Sequence, residues 1–491
     1  MSPDRLLRLF LAAGTVLAPA CGDGDGTTSL PRRGPSVASV TPGPHAVGVD
    51  RGAEATVRFA EPVDPGSLNA AAFHVFGRWS GVMPGETTLD ETRTELTFTP
   101  ARPFHPGEQV TVLVSAGALR TPEGEALSPG HAWTYWTAPE PADLSVSQEE
   151  TIPVRRPGEG RIQTYGAYAG DLDGDGDSDL LVPNERPADL RVFLNDGSGG
   201  YSEPTVHPIP GGAVPSTNEG GDFDGDGVID IAVGNIGNAV VSVFLGVGDG
   251  TVRHHRNLDA GEEVRGVCVL DLETDGRPDI VAAAVGGDRV TVFRNEGSGD
   301  FTPSAVADVG SGETSCAVAD FDEDGLLDVA VGARGDSQLG VLLSDGRGGL
   351  RKSWQGSAGG NAWMLGAGDV NGDGHADVVS VSSDRGVMVV FLGDGTGTLS
   401  QIAEYAAGGF PLAVDLGDLD GDGDLDVVTS QFQSADFTLF ENVGDGSFRE
   451  AARLPASSAG SCAVLHDRDG DGDLDVTGID EVDDVLILFG N

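Results

Sequence analysis

The chain has 491 residues, of which 75 are glycine and 6 % aromatic, and it carries a formal net charge of −49. That length admits two or three domains with a sizeable core. The glycine content, with no long stretch of apolar residues at i, i+3, i+4 and i+7, excludes a helical protein. The charge excludes nucleic acid and anionic membrane surfaces as partners, because both are polyanions.

The N-terminus reads as an export signal. Arg5 and Arg8 flank or interrupt an apolar run from Leu6 to Leu17, too short to span a membrane, followed by Ala18-Pro19-Ala20-Cys21. Ala18 and Ala20 suit ordinary signal peptidase, which removes residues 1–20 and leaves a secreted protein. Cys21, directly after Ala20, also resembles the lipidated cysteine of a bacterial lipobox, although Ala18 stands where leucine is usual. The Gly-, Asp- and Thr-rich segment 21–36 then reads as a flexible tether. The expected location is the bacterial outer membrane or cell surface, with the lipid at Cys21 as the sole membrane contact; the alternative is secretion.

Residues 37–138 alternate apolar and polar residues, as in Ala55-Thr56-Val57-Arg58-Phe59, Glu95-Leu96-Thr97-Phe98-Thr99 and Gln109-Val110-Thr111-Val112-Leu113-Val114, with Pro and Gly between the runs. These are half-buried strands. Through Ser39-Val40-Thr41-Pro42, Val57-Arg58-Phe59-Ala60-Glu61-Pro62-Val63-Asp64-Pro65 and Phe98-Thr99-Pro100 the segment is similar to the Ig-like domains of bacterial S-layer and surface proteins. That resemblance implies a spacer or adhesive stalk. Trp79, Trp133 and Trp136 are expected as core or edge aromatics, and Pro139 to Glu150 as a connector.

From residue 139 to 491 one loop, D-x-D-x-D-G-x-x-D with small departures, recurs seven times, starting at Asp171, Asp222, Asp271, Asp320, Asp369, Asp418 and Asp467. The first spacing is 51 residues and the next five are 49. A fixed period of this size marks a repeat architecture. Each unit reads as an apolar strand into the loop, a strand out of it, a third strand, a Gly/Asp hairpin and a polar outer strand, which is one β-propeller blade. After the last loop two strands remain. A strand near Thr151-Ile152-Pro153-Val154-Arg155 is expected to complete the last blade and close the ring. The predicted fold is therefore all-β: an N-terminal Ig-like β-sandwich followed by a seven-bladed β-propeller with calcium loops.

Calcium takes six to eight oxygens in flexible geometry. The loops offer carboxylates at positions 1, 3, 5 and 9, a backbone carbonyl at position 7, and glycine for the sharp turn. The expected ligands are Asp171, Asp173, Asp175, Asp177 and Asp179; Asp222, Asp224, Asp226, Val228 and Asp230; Asp271, Glu273, Asp275, Arg277 and Asp279; and Asp320, Asp322, Asp324, Leu326 and Asp328. The remaining loops offer Asp369, Asn371, Asp373, His375 and Asp377; Asp418, Asp420, Asp422, Asp424 and Asp426; and Asp467, Asp469, Asp471, Asp473 and Asp475. Position 12 holds no Glu, which excludes EF-hand geometry, and magnesium is disfavoured by its rigid octahedral demand. Up to seven structural calcium ions are expected, with loop three the weakest because of Glu273 and Thr274. Seven ions would take the charge from −49 to −35.

On these loops residues 139–491 resemble the FG-GAP/VCBS repeat propellers, whose best-known members are the heads of integrin α-subunits. The resemblance implies calcium held structurally between the first two strands of each blade. No enzyme signature is present: no Gly-x-Ser-x-Gly, no His-Glu-x-x-His. Arg334-Gly335-Asp336-Ser337 spells a cell-adhesion tetrapeptide, which arises by chance in a chain this rich in Gly and Asp. Cys268, Cys316 and Cys462 lack metal-ligand spacing and read as small buried hydrophobes, a Cys268–Cys316 disulfide being open. The expected function is a non-enzymatic, calcium-stabilised, monomeric surface scaffold binding a protein or glycan partner through the propeller. The alternatives are a lectin-like propeller or part of a polysaccharide-degrading enzyme.

Overall fold

The computed structural model describes residues 34–490. The expected signal segment and Cys21 lie outside the described residues. Among the described residues the regular structure is strand throughout, save one 3-10 turn at Pro65–Ser67.

The strands of residues 37–136 form two four-stranded antiparallel sheets. One orders Val37–Thr41, Ala55–Phe59, Glu95–Pro100 and Gly85–Leu89; the other orders Gly81–Val82, Phe73–Gly77, Gln109–Val114 and His131–Trp136. Because successive side chains point to opposite faces, Phe73, Val75, Val110, Val112, Trp133 and Tyr135 of the second sheet enter the core between the two. The other face, with His74, Phe76, Thr111, Leu113, Thr134 and Trp136, covers one end of a cavity of about 370 Å³ whose remaining wall belongs to the repeats.

The repeats form seven four-stranded antiparallel sheets. Each begins with a channel-lining inner strand, such as Val264–Leu270 or Ala362–Gly368, and ends with a polar outer strand, such as Phe301–Ala307. The second strand of a sheet touches neighbours on both faces, so it is apolar without alternation and wholly buried, as in Asp230–Asn235. Adjacent sheets share cores. Leu181 and Val192 of the first pack with Ile231, Val233 and Phe244 of the second. Leu180 and Phe193 pack with Val476 and Leu488 of the last, which brings the ring back to its start.

The last sheet takes its fourth strand from Ser147–Pro153, antiparallel to Val485–Gly490, with Pro153 opposite Val485 and Ser147 opposite Gly490. The closing strand thus starts inside the stretch expected to be a connector.

Residues 37–136 are not a free spacer. Their second sheet lies across the channel on the side of the aspartate loops. Trp79 and Trp136 pack into the cores of the repeats, and only Trp133 of the three tryptophans lies in the sandwich core. The turn carrying Trp79 is organised by the buried carboxylate of Glu108, which accepts the N–H groups of Trp79, Ser80 and His105 at 2.8, 2.9 and 2.7 Å. Cys268 and Cys316, on neighbouring inner strands, form a disulfide. Cys462 is free, its thiol pushed up to about 12 by burial.

Candidate metal centres on the loop face

Each loop leaves an inner strand at position 1 and enters the second strand at position 9. Its backbone turns left-handed at positions 4 and 6. Glycine holds position 6 in all seven loops, for example Gly227 at φ 89°, while Thr274 and Glu323 adopt φ 54° and 56° at position 4. The carboxylate at position 1 accepts the N–H groups of the turn: Asp222 takes Gly225, Asp226 and Gly227 at 2.8, 3.1 and 3.0 Å. At position 5 the carboxylate accepts the N–H of position 7, as Asp226 does from Val228 at 2.9 Å. The same bond joins Asp175 to Asp177, Asp275 to Arg277, Asp324 to Leu326, Asp373 to His375, Asp422 to Asp424 and Asp471 to Asp473. Position 7 is therefore fixed through its backbone, whatever its side chain.

The aspartate at position 9 is the most buried member, 0–2 % exposed in every loop. One of its oxygens accepts the N–H of position 2, as Asp230 does from Phe223 at 2.7 Å. The other accepts an N–H sixteen residues further on: Asn195 to Asp179, Gly246 to Asp230, Asn295 to Asp279, Ser344 to Asp328, Gly393 to Asp377 and Asn442 to Asp426, all at 2.7–2.8 Å. It thereby ties the loop to the end of the third strand.

Carboxylate oxygens of positions 1, 3 and 9 converge within 4.8 Å in Asp171/Asp173/Asp179, Asp222/Asp224/Asp230, Asp271/Glu273/Asp279 and Asp418/Asp420/Asp426. In loop four the convergent set is Asp320/Asp322/Asp324. These are hard oxygen donors, the set calcium prefers. One oxygen each of Asp224 and Asp322 is buried without a hydrogen-bond partner, so the pockets contain acceptor capacity that the protein itself does not use. Burial pushes the position-9 carboxyls up, to about 7 for Asp179, Asp377 and Asp475, about 8 for Asp230 and Asp426, and about 9 for Asp279; Asp328 is raised as well. Burial also raises Asp271 to about 7, Asp320 to about 8 and Asp418 to about 6, with neighbouring aspartates adding to the effect. Carboxylates withdrawn from water and set against one another are what a divalent cation relieves. The residues fit a metal ion.

The loops are not equivalent. In loop three Glu273 lies 2.9 Å from Arg294, and Arg277 pairs with Asp275, so two of the expected ligands already hold cations. In loop five Asn371 and Asp373 bond each other at 2.9 Å. In loop seven the buried Arg468 lies 3.8 Å from Asp475. The residues at 37–142 reach five loops. Trp79 accepts the N–H of Asp171, and Arg102 pairs with Asp171 at 3.3 Å. Ala116 and Gly130 donate to Thr274, Ala132 donates to Gly325, Ala142 to Asp420 and Glu140 to Gly472. Thr274, a departure from the repeat, is thus where the sandwich is seated.

Sequence reasoning missed the asparagines. Asn195, Asn295 and Asn442 donate their side chains to the position-2 carbonyl of the preceding repeat (Arg468, Phe223 and Val370, at 2.7–3.0 Å). Each stitches one loop to its neighbour. The signal was present: Asn recurs sixteen residues after the last aspartate of loops one, three and six.

Four-stranded sheets arranged round a channel, joined at one face by aspartate loops that can hold metal, define a β-propeller of the metal-loop class. The family model described as FG-GAP-like repeat matches residues 171–233, 222–282, 271–331, 320–380 and 369–429, together more than half of the 491 residues. The chain belongs to the FG-GAP-like repeat proteins. The model described as bacterial Ig-like domain matches residues 31–137. No curated protein matches significantly. Among solved structures, BBS1N in complex with ARL6DN, soaked with mercury, is 12 % identical with TM-score 0.51, over 70 % of this chain and 96 % of that one. The same complex soaked with lead is 13 % identical with TM-score 0.50, over 71 % and 97 %. A lectin of Agrocybe aegerita that recognises non-reducing terminal N-acetylglucosamine is 18 % identical with TM-score 0.44, over 85 % and 96 %. At these identities the likeness to BBS1N is one of fold.

Proposed function

We propose that this protein is a non-enzymatic interaction scaffold, a seven-bladed propeller stabilised by calcium in its loops, exported and held at a bacterial surface through lipid on Cys21. The observation that carries the reading is the convergence of carboxylates in loop after loop, an oxygen set suited to calcium. Because the empty loops repel themselves, calcium binds the folded state preferentially and stabilises it by mass action, about 2.7 kcal/mol per site at one hundred times the dissociation constant. The sandwich, seated on the same loops, shares in that rigidity and presents the opposite end of the channel to a partner.

The test is melting with and without chelator, together with a count of bound calcium. Chelation is expected to lower the melting temperature, and millimolar calcium to restore it, since sites on extracellular modules bind at about 10⁻⁴–10⁻³ M. Asp224→Ala is expected to remove about one ion and Val228→Ala none, because the latter keeps the backbone. Unchanged melting with no bound calcium would reduce the loops to hairpin turns.

A further inference from the structure

The end of the channel farthest from the loops carries a cluster that breaks the repeat. Six residues before the first aspartate of each loop, the repeats differ sharply in residue type. Sheets two, four, six and seven put Ser216, Thr314, Leu412 and Ser461 there; sheets one, three and five put Tyr165, Arg265 and Trp363. The Arg265 guanidinium lies 4.2 Å from the centre of a Trp363 ring and donates to the Tyr165 hydroxyl at 2.5 Å. Arg334, first residue of the hairpin after Asp328–Ala333, brings a second guanidinium to Trp363 at 4.7 Å. This contact engages the arginine of the adhesion-like tetrapeptide with its own chain. Phe410 meets Trp363 edge-on at 5.5 Å, and Phe432 follows 6.5 Å from Phe410; both are half-buried.

Two guanidiniums on one tryptophan repel each other. In a chain with 78 acidic and 29 basic residues a carboxylate between them would be easy to supply, yet among the described residues neither arginine forms an ion pair. Burial, then the charge of Arg265, disfavours the positive charge on Arg334. Of two carboxylates that feel the charge of Arg265, Glu481 is engaged by Arg161 at 3.7 Å. The other, Glu185, is held up to about 7, by burial first and Glu481 second.

We propose that this mouth binds the carboxylate of an acidic sugar, a uronate unit of a polysaccharide, with Arg265 and Arg334 as its anion-binding forks and Phe410 and Phe432 as the surface for the sugar ring. A guanidinium presents paired donors that match a carboxylate. Glu185 and Glu481 beside it favour a ligand with one charge among many hydroxyl donors and oppose a run of acidic residues, which excludes an acidic peptide in preference to a uronate. The proposal rests on reading the propeller as an interaction scaffold and names its partner's chemistry.

The test is calorimetric titration of the full chain, in millimolar calcium, with galacturonate, glucuronate, mannuronate and guluronate as single sugars, with the methyl ester of galacturonate, and with oligoglutamate. At least one uronate is expected to bind, the ester not to bind, and Arg265→Gln and Arg334→Gln each to weaken binding about tenfold or more. Phe432→Ala, at the half-buried edge, is expected to weaken it without touching the charges, and serves where an arginine variant fails to fold. Absence of binding by all four uronates, equal binding of the ester, or wild-type binding by the variants would overturn the proposal. Tighter binding of oligoglutamate would assign the mouth to acidic peptides instead. Arg334→Gln leaves the calcium-dependent melting intact, so loss of the scaffold reading and loss of this site give different results.

Discussion

Glu185 shows what one side chain costs at the channel mouth. Burial, then the neighbouring Glu481, raises its carboxyl from 4.5 to about 7. A carboxyl raised in the folded state contributes stability that is complete below the unfolded value and is lost as pH rises through the folded one. Wild-type protein therefore loses stability between about pH 4.5 and 7 on this account, and Glu185→Gln does not. In millimolar calcium the variant is expected to gain about 1 kcal/mol on wild type between pH 5 and pH 8, after allowance for solvent screening. Denaturant melts at the two pH values check this; parallel curves would show that Glu185 ionises freely. The residue is invisible to a reading of motifs, since it lies in a hairpin that carries no aspartate pattern and acquires its environment only when Arg265 and Glu481, far away in sequence, are folded against it.

At the scale of the element, the strand Ser147–Pro153 carries more than its composition suggests. Its side chains are exposed except Ile152, which packs against the core shared by the first and last sheets, so its main contribution is the ladder to Val485–Gly490. Replacing both Glu150 and Thr151 by proline must remove one ladder donor, because N–H direction alternates along a strand. The double variant is expected to leave the last sheet with an open edge and to aggregate or melt in two steps; a single transition at the wild-type temperature would show that closure is not needed. The need for this strand was legible in the sequence by counting strands after Asp467. So were the seven loops and the alternation of the sandwich, because spacing and period are local properties. The docking of the sandwich was not legible. His131–Trp136 reads as a strand, but nothing local says that Ala132, Thr134 and Trp136 face a second domain while Trp133 and Tyr135 face their own. The metal loops were half legible: carboxylates at positions 1, 3 and 9 converge in loops one, two, three and six and at 1, 3 and 5 in loop four, whereas the pairing of Glu273 with Arg294 depends on the fold of the third strand.

For the whole molecule, the sandwich and the repeats form one compact unit from residue 32 to 491, so the expected stalk is better regarded as a cover over the loop face. Membrane attachment is proposed through lipid on Cys21. Wild-type protein is then expected to enter the detergent phase on partitioning and Cys21→Ser to stay in the aqueous phase, the multiple acyl chains of a bacterial lipoprotein being needed for stable anchoring. Equal partitioning of both into the aqueous phase would leave a secreted protein. The ring closure also sets an order of events. Arg155, just past the closing strand, reaches the carbonyl of Asp483, 328 residues further along the chain. The strand that closes the ring is among the first parts of the propeller to be made and the last to find its partner, so its edge stays open until Val485–Gly490 has been made. Loop closure over such a distance is slow compared with pairing inside a blade. Completion of the ring is thus a late step, which waits for Val485–Gly490 while pairing inside the earlier blades does not.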